Sequence, residues 1–184
     1  KTETASGVKD PVIDTTVSGG GSSSGGSSGG GGGTTAKTAT VTTAEELTKA
    51  LADTTVDVIK VSSTIGSESA YGTYTVDRVV TIKSDAKATV YGSFVVRANA
   101  TIQDLTINNE GCGTHPGKNA IDIVGTAATI KNNTLNLGQK DAAVANGIVI
   151  WPAAGSSTGL TIQGNHINGY TGTDAAWTST GILV

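Results

Sequence analysis

The sequence is most informative first in what it lacks. It has one cysteine, Cys112, no methionine, three prolines and only 4% aromatic residues. A single cysteine cannot form an internal disulfide, and no Cys/His spacing matches a structural zinc site. Charge is sparse: 12 Lys and Arg against 15 Asp and Glu give a net charge of −3, and only Arg78 and Arg97 are arginines. Nucleic-acid affinity rests on cations neutralising phosphates, so a nucleic-acid partner is not expected. No apolar run approaches the length of a bilayer-spanning helix. The chain begins at Lys1 without a secretory n-region or h-region and stops at Val184 inside the apolar run GILV, as expected of a segment cut from a longer protein.

What is abundant is Gly, Ser, Thr and short β-branched runs. Residues 1–17 are polar and end in VIDTTV, which reads as the tail of a preceding segment. Residues 18–33 are ten Gly and six Ser. This makes 18–36 a flexible linker, with an r.m.s. span for the Gly/Ser run of roughly 20–25 Å. A GxGxxG match inside it is compositional, since no strand precedes it and no helix opens from it. The remaining stretch, 37–184, is read as one domain. Its only helix signal lies at about 43–53, where Thr43-Ala-Glu-Glu46 fits a capping box. Leu47, Ala50 and Leu51 then fall on one face.

From Val56 onward two strand families interleave. The first reads VTIK at 80–83, ATIQ at 100–103, ATIK at 128–131 and LTIQ at 160–163, with VIKV at 58–61 as a degenerate first copy. Their central residues, Ile59, Ile82, Ile102, Ile130 and Ile162, are spaced 23, 20, 28 and 32 apart. The second begins with a small residue: GTYTV at 72–76, GSFVV at 92–96, AIDIV at 120–124, GIVIW at 147–151 and GILV at 181–184. One such turn cannot bury its own apolar side, but stacked turns share a continuous core. Period-two alternation points the Ile column inward and the Thr and Lys/Gln columns outward. Ile107, Leu135 and Ile167 mark a further inward column, each followed by Asn. Asn133 and Asn165 sit at the bend, where stacked amides bond along the ladder and tolerate a left-handed backbone.

NGIVIW at 146–151, TIKNNTLNL at 129–137 and TIQGNHING at 161–169 resemble the repeat of the right-handed parallel β-helix, the fold of the pectate-lyase-like superfamily. The resemblance covers roughly 56–184 and implies an all-β solenoid of about five coils with a short N-terminal capping helix. That superfamily includes lyases, hydrolases, epimerases, tailspikes and bacterial surface proteins, so the resemblance specifies fold rather than activity. A Ser/Gly-rich linker before such a domain is similar to modular surface proteins of Gram-positive bacteria, which implies an extracellular or cell-surface location.

Lyases of this superfamily hold calcium with clustered acids outside one sheet. Taking the small residues of the second family as aligned, its outward column reads Tyr74, Phe94, Asp122, Val149 and Leu183. Asp122 is the only acid there, which is a poor calcium site. No cofactor or metal is expected, and calcium enters only on a lyase reading. The first family's outward column, Lys60, Lys83, Gln103, Lys131 and Gln163, makes Lys83 and Lys131 candidates for an acidic polysaccharide. The plainer reading is a solvated face that discourages lateral association. The loop 108–118 collects Glu110, Cys112, His115 and Lys118, but a Cys–His nucleophile needs an orienting third group that is not evident. His166 reads as a polar neighbour of the Asn ladder. The aromatics Trp151, Tyr170 and Trp177 collect late and offer flat faces suited to sugar rings. Asp141, Asp174 and Lys140 are the only acid/base supply in the neighbouring insertions.

The function expected from these readings is a non-catalytic β-helix module of a bacterial surface or secreted protein, with a scaffold or adhesive role and carbohydrate contact. Its partners would be a polysaccharide or cell-wall glycan and other domains of the same chain. Two alternatives stand beside it. One is the N-terminal part of a polysaccharide lyase or glycoside hydrolase, and the other is the structural shaft of a surface layer or tailspike-like assembly.

Overall fold

The computed structural model describes residues 12–14, 35–109, 119–125, 127–137, 146–151, 159–169 and 180–184. Its elements run β1 (Val12–Asp14), β2 (Thr38–Val41), α1 (Ala44–Ala52), β3 (Val58–Val61), β4 (Gly72–Val76), β5 (Thr81–Lys83), β6 (Thr89–Val96), β7 (Thr101–Gln103) and β8 (Thr106–Asn109). They continue with β9 (Asn119–Val124), β10 (Thr129–Lys131), β11 (Thr134–Leu137), β12 (Asn146–Trp151), β13 (Thr161–Gln163), β14 (His166–Asn168) and β15 (Ile182–Leu183). The architecture is mostly β, built of parallel sheets, one of them curled.

The first sheet has the order β1-β2-β3-β5-β7-β10-β13. Every pair is parallel except β1 on β2. Its register sets Ala39, Ile59, Ile82, Ile102, Ile130 and Ile162 side by side. All but Ile162 are fully buried, while the adjoining Thr and Lys/Gln columns face outward. The alternation expected from the sequence is therefore the observed one. Burying each such side chain stabilises the fold by roughly 1.5–3 kcal/mol. β2 adds a rung that the sequence reading treated as a lead-in to the helix. Ala39 and Val41 are buried at alternate positions, the Thr/apolar pattern of the later rungs.

The second sheet follows β14-β11-β8-β6-β9-β12-β15, with β4 also on β6. β6 belongs to two ladders. Thr89–Tyr91 pairs with β8, aligning Val90, Ile107, Leu135 and Ile167. Phe94–Val96 pairs with β9, and Gly92–Val96 pairs with β4. Gly92 sits at the changeover with φ +144, and a Cβ there would lie 2.1 Å from the Gly72 carbonyl oxygen. No other residue fits that approach.

This changeover corrects the predicted outward column of the second strand family. Tyr74 aligns with Phe94, Ile121, Ile148 and Ile182, so Tyr74 and Phe94 point inward. They are 4% and 0% exposed, with ring centroids 5.5 Å apart. The outward column is instead Thr75, Val95, Asp122, Val149 and Leu183. Aligning the leading small residues placed β6 one position out, and a one-residue slip turns every side chain to the other face.

At the corner between the first sheet and the β8 ladder, two residues suffice. Asp104, Asn132 and Gly164 take φ of 58, 56 and 64. The left-handed residue is thus the one before the predicted Asn. Asn133 and Asn165 supply the bonds. Asn133 Oδ1 accepts from the Leu105 N–H at 3.1 Å, and its Nδ2 donates to the Ile102 carbonyl at 2.9 Å. Asn165 Oδ1 accepts from the Asn133 N–H and Nδ2, each at 3.0 Å, and its Nδ2 donates to the Ile130 carbonyl at 2.8 Å.

At the N-terminal end, α1 spans Ala44–Ala52 with Thr43 as its cap. The Thr43 hydroxyl accepts from the Glu46 N–H at 3.2 Å. Glu46 reaches back one residue further than a capping box specifies: its carboxylate accepts from the Thr42 N–H at 2.6 Å and hydroxyl at 2.8 Å. These bonds hold its carboxyl below the usual Glu range. The other helix end is held by Arg78, whose guanidinium donates to the carbonyls of Ala50 at 2.8 Å, Leu51 at 2.9 Å and Val56 at 2.5 Å. A cation on terminal carbonyls satisfies orphan acceptors and complements the helix dipole.

Candidate functional site

The described residues bring one half-exposed aromatic against a carboxylate. Trp151 ends β12 and is 50% exposed. Its indole N–H donates to Asp122 Oδ1 on β9 at 2.8 Å. The Asn119 side-chain amide donates to the same oxygen at 2.6 Å. Asn119 Oδ1 in turn accepts from the Asn146 amide at 2.9 Å, and Asn146 Oδ1 accepts from the Thr180 N–H at 3.0 Å. This chain of bonds crosses the three strand starts and ends on the tryptophan. Val124 lies opposite Trp151 in the register and is 37% exposed, extending the apolar surface. Asp122, the only acid of the outward column, is the group that orients the indole. Among the described residues its Oδ2 accepts no hydrogen bond.

A fixed indole presents a flat apolar face, and an adjacent carboxylate accepts hydroxyl protons. Together they supply the two contacts a sugar ring makes. Elsewhere in the same outward column Val149 is 1% exposed although it faces away from the core cluster.

Lys83 and Lys131 lie on the first sheet, on a different ladder from Trp151. Lys60, Lys83, Gln103, Lys131 and Gln163 form the single column expected. Gln103 separates Lys83 from Lys131, so their rungs stand about 10 Å apart rather than one strand spacing. Lys60 forms an ion pair with Asp85. The Lys60 ammonium beside it, with Lys83 contributing less, holds the Asp85 carboxyl below its usual range. Part of the column's positive charge is thus already answered within the chain.

His166 is exposed on β14 beside Thr134, and its backbone N–H donates to the Asn133 carbonyl at 2.8 Å. The predicted site residues Tyr170, Trp177, Asp141 and Asp174, with Lys140, Glu110, Cys112, His115 and Lys118, lie outside the described residues. Among the described residues, no three His, Cys, Asp or Glu side chains gather where a metal ion would bind, and no helix is long and apolar enough to cross a membrane.

Two features escaped the sequence reading: the Trp151–Asp122 contact and the Arg78 grip on α1. For the first a signal existed, because Trp151 stands two positions beyond Asp122 in its repeat, on the same face, once Ile148 and Ile121 are aligned. Comparison with protein-family models, with characterised proteins and with solved structures finds no match.

Proposed function

We propose that the chain is a right-handed parallel β-helix of the pectate-lyase-like type, acting as a non-catalytic, extracellular or cell-surface module that contacts carbohydrate at Trp151 and Asp122. The in-register columns, the repeated two-residue corner and the helix at one end support the fold. One observation carries the binding role: a half-exposed indole fixed by a carboxylate whose second oxygen accepts no hydrogen bond among the described residues. The scaffold role is supported by the outward columns, where Asp122 stands among Thr75, Val95, Val149 and Leu183 without a second acid.

A glycan array followed by titration calorimetry of the best ligand tests this reading. Trp151→Ala should weaken binding about tenfold or more, and Asp122→Asn by less. Binding that ignores Trp151→Ala, or no glycan bound at all, sinks it. Release of unsaturated oligosaccharide from an acidic polysaccharide would favour the lyase alternative.

A further inference from the structure

The start of the β4 ladder carries a second candidate site. β4 bonds to β6 on one side, and among the described residues no strand pairs with its other edge. Between that edge and α1 lies a cavity of 460 Å³, whose lining includes Thr48, Leu51, Thr73, Tyr74 and Thr75. A neighbouring cavity of 440 Å³ shares Thr48, Thr73 and Tyr74, so the two form one trough along the helix.

Strand geometry decides which peptide groups face it. The Val76 carbonyl accepts from the Arg97 N–H at 2.9 Å, on the side of the neighbouring coil. Within a strand the N–H and C=O of one residue point the same way and alternate from residue to residue. Those of Tyr74 and Val76 therefore turn to β6, and those of Thr73 and Thr75 turn to the trough. Tyr74 lines both cavities, and its hydroxyl is buried and, among the described residues, has no hydrogen-bond partner. Burial pushes its phenol up, so it remains a proton donor at neutral pH.

We propose that this trough takes an extended peptide by strand addition, its backbone pairing with Thr73 and Thr75 and one carbonyl or side-chain oxygen accepting from Tyr74. Main-chain donors and acceptors repeating every second residue match another extended backbone. The wall of Thr48, Leu51, Thr73 and Thr75 is neutral and suits small side chains. Arg78 is committed to the carbonyls of Ala50, Leu51 and Val56, and Lys49 lines the neighbouring cavity together with Glu45, so the charged side chains around the trough balance. A lining that holds Glu45 and Asp77 beside Lys49 and Arg78 favours neither an acidic nor a basic peptide.

The probe is a capped synthetic peptide of alternating Thr and Val, titrated into the isotope-labelled chain and read by amide chemical shifts and hydrogen exchange. In the free chain Thr73 and Thr75 amides should exchange fast while Tyr74 and Val76 are protected. With peptide, Thr73 and Thr75 should gain about tenfold protection. Tyr74→Phe should keep the fold and weaken binding about fivefold. The same peptide N-methylated at alternate positions should not bind. Unshifted Thr73 and Thr75 amides, shifts confined to β13, β14 and β15, equal binding of the N-methylated peptide, or unchanged affinity in Tyr74→Phe would each overturn the proposal. Unchanged affinity would leave the hydroxyl satisfied by water only.

Discussion

Two corners of the molecule solve the same problem in opposite ways. Where the first sheet meets the β8 ladder, the chain turns with Asp104–Leu105, then Asn132–Asn133, then Gly164–Asn165. Where that ladder meets the next, β6 passes through with only Gly92 at the changeover, and later coils carry 110–118, 138–145 and 169–181 between strands. Between β5 and β6 this bend spans 84–88, but from β7 onward it keeps two residues, and there each turn is hydrogen-bonded to the one beside it. Inserting a residue would orphan buried amides on two coils at once. The second corner holds connections of differing length, with Asn119 and Asn146 bonded to each other where the strands resume. The short bends and the variable connections thus lie at opposite ends of β8, β11 and β14.

The sharpest way to break this comparison is Asn133→Ala. Asn133 is 1% exposed, and its loss leaves the Leu105 N–H and the Ile102 carbonyl without their partner. Urea unfolding should show a loss of about 3 kcal/mol. A loss under about 1 kcal/mol would mean the ladder is not what fixes the tight corner. Next in size is Arg78→Ala, which frees two carbonyls at the helix end and that of Val56 beyond it and should cost about 2 kcal/mol. Circular dichroism and hydrogen exchange should place the loss in α1 before the coils.

Smaller effects sharpen the picture. Glu46→Gln should cost about 1 kcal/mol at neutral pH. Because the folded pKa of Glu46 is depressed, its contribution is present above the ordinary value of 4.5 and disappears as pH falls through the folded value. The wild type and Glu46→Gln stabilities should therefore converge in acid, and a constant gap would show that the carboxylate's charge is not involved. The smallest effect is expected at the variable corner. Replacing 138–145 by a short Gly/Ser turn should shift stability by less than about 1 kcal/mol. A shift as large as that of Asn133→Ala would erase the distinction between the corners.

Much of the register was legible because alternation in a strand is unambiguous wherever a Thr column and an Ile column recur together. The tight corner was legible for the same reason, since Asn recurs at a fixed distance after Ile. The slip at β6 was not, because Gly92 takes up one residue at a corner that elsewhere holds an insertion, and no local pattern marks that. β2 was missed because a single Thr-rich rung lies between a linker and a helix. Arg78 was missed because its carbonyl partners at Ala50 and Leu51 are 28 and 27 positions away. Nothing in the sequence around an arginine announces which helix it will cap. Of the candidate site, the members were visible and the contact was not. Trp151 and Asp122 were each singled out, but their hydrogen bond runs diagonally between coils.

The antiparallel docking of β1 on β2, Val12 opposite Thr40 and Asp14 opposite Thr38, has a mechanical consequence. The Gly/Ser run lies between these two strands in the sequence. A load pulling on the N-terminus would meet three residue pairs first. Once they part, residues 15–37 pay out on the order of 80 Å of slack before any coil is strained.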